Sequence, residues 1–262
     1  MSIIPKSRRD EVEPVEFIDW LDVYDMLSAR ESPAAFKQGD HVTIIGPTGA
    51  GKTHIAIEVA ELRTYVLFIA CKPRDPLISE LRQRGYYETN DLELTYVDDG
   101  KGRSTPMHNR VVYWPRFSER ETKGDQVREQ ALQSTAVRKA FSYARSNGSW
   151  ALVIDEGTWV CRDLKLQRVA DSMWFQGRTL GVSVIMCAQR PAWVGQYALS
   201  QADHLFLFQT SHTDDLKALG DITGVSTWTV RATVAELNAA QHECLYVNTR
   251  TREMFRTIAP SR

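Results

Sequence analysis

The chain has 262 residues, a formal net charge of -1, 43% hydrophobic residues and 25% charged residues. This profile is typical of a soluble globular protein with a full hydrophobic core, and the length suits one large domain. No apolar run approaches the roughly 20 residues that a membrane span needs, so we expect no membrane partner. The balanced charge neither favours nor excludes a nucleic-acid partner.

The N-terminus and the cysteines indicate the cellular compartment. The first residues, MSIIPKSRRDEVEPVE, have no apolar stretch after their basic residues, so no secretory signal is expected. The four cysteines lie far apart, without a CxxC motif or a His/Cys cluster. This spacing favours a reduced compartment and argues against a zinc site. We therefore expect a cytoplasmic protein.

The N-terminal region predicts an arm followed by a helix. Residues 1–13 are polar and mixed in charge, and residues 14–28 carry apolar side chains at helical spacing. The pattern predicts an acidic amphipathic helix that packs on the core or on a neighbouring subunit. We assign residues 1–35 to the arm and helix, and residues 36–262 to the main domain.

The main domain alternates apolar strands with helices. Strands are predicted over residues 41–45, 64–71, 93–97, 110–114, 150–154, 182–188 and 204–208. Helices are predicted over residues 52–62, 75–84, 120–146, 162–179, 213–220 and 230–239. This alternation predicts an α/β fold with a mostly parallel central sheet flanked by helices. The last stretch, ECLYVNTRTREMFRTI, predicts a β-hairpin around residues 248–250.

A Gly-rich loop lies between the first predicted strand and helix of the main domain. Its sequence, GPTGAGKT, matches the whole pattern GxxxxGK[ST], the Walker A motif. The backbone N–H groups of such a loop wrap phosphates, and the helix N-terminus adds positive charge. Lys52 is expected to reach the β- and γ-phosphates, and Thr53 to offer its hydroxyl to Mg²⁺. The residues predicted to hold ATP are Gly46, Pro47, Thr48, Gly49, Ala50, Gly51, Lys52 and Thr53.

Three polar side chains follow two of the other predicted strands. Asp155 and Glu156 come directly after residues 150–154, and Gln189 comes after residues 182–188. The carboxyl ends of parallel strands converge on the ligand crevice of such a sheet. Asp155 is therefore expected to hold Mg²⁺ through water, and Glu156 to polarise the attacking water. Gln189 is expected to sense the γ-phosphate or to hold that water.

The sequence does not favour several other classes of P-loop protein. No LSGGQ-like stretch precedes the strand that ends at Asp155, which argues against an ABC transporter subunit. No NKxD element is present for guanine recognition. Glu156 argues against a simple kinase, because transfer to a substrate needs no carboxylate that activates water.

Four stretches together resemble the FtsK/HerA superfamily of P-loop ATPases, and within it the small phage DNA-packaging ATPases. They are GPTGAGKT, FIACKPRDPLISELRQRGY, ALVIDEG and GRTLGVSVIMCAQRP. The stretch HLFLFQTSHTDDLKALGDITG is also similar to the segment that follows in that family. The resemblance covers most of residues 40–224.

The resemblance implies a RecA-like (ASCE) fold and a homo-oligomeric ring with ATP hydrolysis at its subunit interfaces. It implies translocation of double-stranded DNA, with a viral genome-packaging motor as the main hypothesis and a viral portal or procapsid as a further partner. It also implies an arginine finger for the neighbouring subunit. Arg178, in the GRTLG stretch, best matches that position, and Arg190 is the second choice.

Two other functions stay open. One is a conjugation or secretion ATPase of the same superfamily, acting on single-stranded DNA or on protein. The other is a nucleotide-dependent assembly scaffold with little turnover, which Glu156 and Gln189 disfavour. The role of Lys72 is also open, since this residue either faces the nucleotide crevice or is a solvated lysine at a strand end.

DNA contacts have two candidate regions. The first, residues 100–128, combines basic and aromatic side chains with glycines, and is either a loop that tracks phosphates or a solvated loop with core aromatics. The weaker candidate is the C-terminal hairpin, with Arg250, Arg252 and Arg256.

Overall fold

Eleven strands and eight α-helices are formed by the residues that the computed structural model describes, namely 5–72, 74–98, 100, 104–115, 123–223 and 225–261. The strands are β1 (Val42–Ile45), β2 (Tyr65–Ile69), β3 (Tyr87–Thr89), β4 (Tyr96–Asp98), β5 (Ser104–Pro106), β6 (Arg110–Tyr113), β7 (Trp150–Ile154), β8 (Ser183–Ala188), β9 (His204–Phe208), β10 (Glu243–Asn248) and β11 (Glu253–Ile258). The helices are α1 (Trp20–Ser28), α2 (Lys52–Glu61), α3 (Leu77–Gln83), α4 (Lys123–Asn147), α5 (Gln167–Leu180), α6 (Gln196–Ser200), α7 (Thr213–Ile222) and α8 (Thr227–Glu236).

Nine strands form one sheet in the order β11-β10-β9-β1-β8-β7-β2-β6-β3. The strands from β9 to β3 run parallel, so their carboxyl ends share one edge of the sheet, the carboxyl edge, and their amino ends share the amino edge. β10 is antiparallel to β9, and β11 is antiparallel to β10. The α/β fold, the mostly parallel sheet and the C-terminal hairpin are therefore confirmed.

Side chains of alternate residues along each strand enter two separate cores. On β7, Leu152 and Ile154 face the core that contains α4, α5, α7 and α8. Ala151 and Val153 face the other core, which contains α1, α2 and α3. Because both faces of the central strands are covered, the sequences of these strands are continuous apolar runs and do not alternate between apolar and polar residues. Among the described residues, no helix has both the length and the apolar character that a membrane crossing requires.

The N-terminal segment differs from the prediction. The helix begins only at Trp20, and the residues before it are extended along the edge strand β11. Ile18 N donates to Arg256 O at 2.9 Å, and Arg256 N donates to Glu16 O at 2.7 Å. An edge strand presents unpaired backbone groups, and pairing with them outweighs the helical spacing of residues 14–19. The domain division at residue 35 stays a prediction.

The predicted helix over 162–179 is also interrupted. One turn of π-helix spans Trp159–Asp163, and α5 begins only at Gln167. Between them Lys165 takes a φ of 57°, which α-helical geometry does not allow. Leu164 and Leu166 on either side of it are both buried, so this turn brings two leucines into the core. The sequence pattern also missed β3 and β5, which are only three residues long.

Candidate functional site

The loop over residues 46–53 joins β1 to α2 at the carboxyl edge. Gly49 and Gly51 have φ values of 80° and 103°, in the left-handed region that favours glycine. Gly46 lies against Phe208 of β9, where an added Cβ would come within 2.5 Å of the Phe208 Cβ. The glycines are therefore required by backbone turns and by close packing against a neighbouring strand.

The Lys52 side chain turns back across this loop. Its Nζ donates to the carbonyl oxygens of Gly46 at 2.8 Å and of Pro47 at 2.7 Å. Burial lowers the pKa of Lys52, while the nearby carboxylates of Asp155 and Glu156 oppose that shift. An ammonium group held only by neutral carbonyls within the loop fits the place where phosphate oxygens would be bound.

Asp155 lies directly against the first turn of α2. Thr53 Oγ1 donates to Asp155 Oδ1 at 2.6 Å, and Asp155 is only 8% exposed. A hydroxyl and a carboxylate are both oxygen ligands of the kind that Mg²⁺ prefers. The structure therefore brings together the two residues that were predicted to hold the metal, and their chemistry fits it.

Glu156 and Gln189 meet across the neighbouring strands β7 and β8. Gln189 Nε2 donates to Glu156 Oε1 at 3.4 Å. The chain leaves β7 before Asp155, and Gly157 packs against Met186, where an added Cβ would lie 2.6 Å from the Met186 Cγ. Because the strand has ended, the adjacent carboxylates do not point to opposite faces of the sheet.

Lys72 is the residue whose place the sequence left open, and it lies in the crevice. Its Nζ is 3.4 Å from Asp155 Oδ2 and 3.6 Å from Glu156 Oε2. Partial burial lowers the pKa of Lys72, but Asp155, Asp75 and Glu156 outweigh burial and raise it overall. Lys72 follows β2, which neighbours β7, so the strand order places it beside the two carboxylates.

The two candidates for the arginine finger lie at different edges of the sheet. Arg178, at the end of α5, donates through Nη2 to both carboxylate oxygens of Asp203 at 3.0 and 2.9 Å, at the amino edge. Arg190 directly follows Gln189 at the carboxyl edge, where Asp215 of α7 accepts two hydrogen bonds from it at 2.9 and 3.1 Å. Arg190 also lines a cavity beside Gly46. The role of either arginine in a neighbouring site stays a prediction.

The candidate DNA contacts are only partly described. Of the basic residues between 100 and 128, four lie outside the described residues: Lys101, Arg103, Arg116 and Arg120. On the hairpin, Arg250 Nη1 donates to Asp40 Oδ1 at 2.8 Å, and Arg256 Nε donates to Glu243 Oε1 at 2.8 Å. These two arginines have structural partners within the chain.

One part of the site was missed by sequence reasoning. The end of β11 and the chain after it pass over the loop, so that Ile258, Ala259, Pro260 and Ser261 line a cavity of about 450 Å³. Lys52, Thr53 and Asp155 line the same cavity. No sequence motif marks this tail, because only the order of β11 in the sheet brings it to the loop.

A scan against models of protein families found no match, and a search of curated protein sequences found none. Solved structures, in contrast, share the fold. The genome packaging NTPase B204 from Sulfolobus turreted icosahedral virus 2, in complex with AMPPCP, matches 86% of this chain and 100% of its own, with a TM-score of 0.57 at 15% identity. VirB4 of Thermoanaerobacter pseudethanolicus matches 85% of this chain and 90% of its own, with a TM-score of 0.59 at 12% identity.

A third solved structure is the cytoplasmic domain of the Type VII secretion ATPase EccC from Thermomonospora curvata. It matches 97% of this chain but only 29% of its own length, with a TM-score of 0.53 at 15% identity. This chain has the fold of the P-loop ATPases. These three likenesses cover 85–97% of this chain at 12–15% identity, and they show its fold.

Proposed function

We propose that this chain binds ATP with Mg²⁺ and hydrolyses it at the carboxyl edge. The observation that carries the proposal is the convergence of Lys52, Thr53, Asp155, Glu156 and Gln189 on one crevice, from three neighbouring strands of a parallel sheet. Each of the five has the chemistry that phosphoryl transfer to water requires at that place.

Each of the five residues would have its own role in ATP binding and hydrolysis. Lys52 would exchange its bonds to the loop carbonyls for phosphate oxygens. Thr53 and Asp155 would hold Mg²⁺, which neutralises phosphate charge when bound. Glu156 would accept a proton from the attacking water, and the Gln189 amide would orient Glu156 or that water. The contacts of the Glu156 carboxylate with Lys72 at 3.6 Å and with Gln189 at 3.4 Å are long, so a water can replace either partner.

We further propose that hydrolysis drives translocation of double-stranded DNA by a homo-oligomeric ring, as in viral genome packaging. The FtsK/HerA resemblance supports this, as does the likeness over its full length to B204, which is described as a genome packaging NTPase. A viral portal or procapsid would be the partner of such a ring, and the cytoplasm, in a host cell if viral, its location. Arg178 or Arg190 would reach the neighbouring site.

A conjugation or secretion ATPase is the second candidate. The observation that favours it is the likeness to the Type VII secretion ATPase EccC, whose cytoplasmic domain matches 97% of this chain with a TM-score of 0.53. The two candidates share the nucleotide site and differ in the polymer that they move. Substrate stimulation rather than site geometry therefore separates them.

The test is ATP turnover by the assembled protein with no DNA, with double-stranded DNA and with single-stranded DNA. We expect double-stranded DNA to stimulate turnover most, and Lys52→Ala to abolish turnover under all three conditions. Lys217→Ala, at an exposed position on α7, is the matched control. Stimulation by single-stranded DNA alone would favour the secretion or conjugation class. ATP-dependent oligomerisation without turnover would favour an assembly scaffold, and no effect of any DNA would rule out the translocase.

A further inference from the structure

The cavity of about 450 Å³ beside α2 has a lining of two chemical kinds. Charged and hydroxyl side chains line it, which are Lys52, Thr53, Lys72, Asp75, Asp155 and Ser261. Apolar and ring-bearing side chains line it as well, which are Pro76, Leu77, Ile258, Ala259, Pro260 and His242. Its size lies within the range of small-molecule pockets, and it combines apolar surface with a few polar groups, as pockets that orient a ligand do.

Ala259 and His242 have a fixed position relative to the loop. Ala259 N donates to His242 O at 3.0 Å, which ties the chain after β11 to the turn before β10. Ala259 is buried against Gly51, where an added Cβ would come within 2.9 Å of the Ala259 Cβ. The same Cβ would lie 3.9 Å from the His242 Cβ. The tail and His242 are therefore packed against the loop.

We propose that the tail over residues 258–261 and His242 form the binding site for the nucleoside part of the nucleotide. The inference rests on the proposed ATP site, because a triphosphate at Lys52 and Thr53 leaves its nucleoside to occupy the rest of the cavity. A purine is a flat apolar surface with polar edges, and aliphatic side chains, proline and a histidine ring are suited to pack on its faces. The loop motif itself contacts phosphates and does not account for binding of the base.

His242 offers a clean variant for the test. It has a φ of 54°, a left-handed conformation that glycine adopts without strain. His242→Gly therefore removes the ring at no backbone cost. Lys165→Gly is the matched control, because Lys165 has a φ of 57°, is exposed and does not line this cavity.

The experiment measures binding of ATP and of inorganic tripolyphosphate, each with Mg²⁺, by calorimetry on the full chain. We expect His242→Gly to weaken ATP binding about fivefold or more, the lower end of the effect of losing a ring against a base. The affinity of His242→Gly for tripolyphosphate should be unchanged, and Lys165→Gly should bind both ligands like the wild type. Thermal melts establish that both variants are folded.

The outcomes separate this inference from the function on which it rests. Equal ATP affinity in the two glycine variants would overturn the nucleoside site, as would an equal loss of ATP and tripolyphosphate affinity in His242→Gly. If the wild type bound neither ligand, the proposed ATP site itself would fail. Pro260→Gly is a second probe of the tail, and we expect the same selective loss of ATP affinity.

Discussion

Both edges of the parallel sheet gather charged residues, but the crevice at the carboxyl edge holds Lys72 differently from the way in which the amino edge holds its arginines. At the carboxyl edge, Lys72 lies 3.4 Å from Asp155 and 3.6 Å from Glu156. At the amino edge, Arg178 contacts both oxygens of Asp203 at 2.9 and 3.0 Å. Arg250 contacts Asp40 there at 2.8 Å. The Lys72 contacts are long and single, whereas these arginine contacts are short, charge-assisted hydrogen bonds, like those of Arg190 with Asp215 at the carboxyl edge.

This difference indicates which charges can be exchanged for a ligand. A carboxylate that has a long contact with a lysine loses little when a metal ion or a water replaces the ammonium group. A buried carboxylate held by short hydrogen bonds loses much more, because removal of its partner leaves an uncompensated charge. We therefore expect the carboxyl edge to carry the chemistry and the amino edge to stabilise the fold, and each prediction below tests one side of that comparison.

The largest effect is expected at Glu156. In Glu156→Gln the carboxylate can no longer accept a proton, so turnover should fall about 10²–10⁴-fold, the usual contribution of a general base. ATP binding should persist, since the phosphate-binding loop is unchanged. Phosphate release and ATP affinity are the two measurements, with Glu236→Gln at an exposed site on α8 as the control. Turnover like that of the wild type would remove Glu156 from the mechanism.

Acid should lower the free energy of unfolding by protonating His41, which lies at the amino edge. Burial lowers the pKa of His41 to about 4, and its neutral ring accepts a hydrogen bond from Val184 N at Nδ1 and lies 3.1 Å from Trp174 O at Nε2. The unfolded chain thus binds more protons between pH 6.5 and about 4. The free energy of unfolding should fall over that window by as much as about 3 kcal/mol.

Denaturant unfolding at several pH values measures this effect. Burial also lowers the pKa of His204, so its contribution has the same sign. His41→Asn should flatten the pH dependence without removing it. His108→Asn, at a ring that stacks on Tyr87 near the surface, should retain the slope of the wild type. Equal slopes in all three proteins would contradict the assignment to His41.

Arg178→Ala tests whether this residue serves the fold, the neighbouring site or both. The guanidinium is 49% exposed while Asp203 is buried, so we expect a loss of about 2 kcal/mol in the free energy of unfolding, below the value for a fully buried pair. If Arg178 is also the arginine finger, a separate result is expected. Arg178→Ala subunits should then regain turnover when mixed with Lys52→Ala subunits, and Arg190→Ala is the comparison variant.

The smallest effect is expected at Lys72. Its ammonium competes with a metal ion for Asp155 and Glu156, so Lys72→Met should lower the Mg²⁺ concentration that half-saturates ATP binding. The change should be up to about fivefold, as for a partly exposed ion pair. A Mg²⁺ titration at fixed ATP measures it, with Lys217→Met as the control. A higher Mg²⁺ requirement would show that Lys72 assists binding of the metal or the phosphates.

The local parts of the site were determined by the sequence alone. The loop over residues 46–53 is a contiguous motif whose glycines, lysine and threonine have roles set by their spacing. Asp155, Glu156 and Gln189 were identified because each follows an apolar strand, and parallel strands end at a common edge. The alternation of strands and helices likewise determined the fold class.

Other parts of the site depended on the order of strands, which no local pattern contains. Lys72 reaches the two carboxylates because β2 lies beside β7, and the tail reaches the loop because the hairpin extends the sheet next to β9. The pairing of Arg178 with Asp203 joins the end of α5 to the start of β9. These contacts join residues that are far apart in the chain. Residues 14–19 have helical spacing but are extended, because they pair with β11, which is also distant in the chain. The sequence by itself thus determined the phosphate-binding loop and the acidic strand ends, and the tertiary structure alone decided what surrounds them.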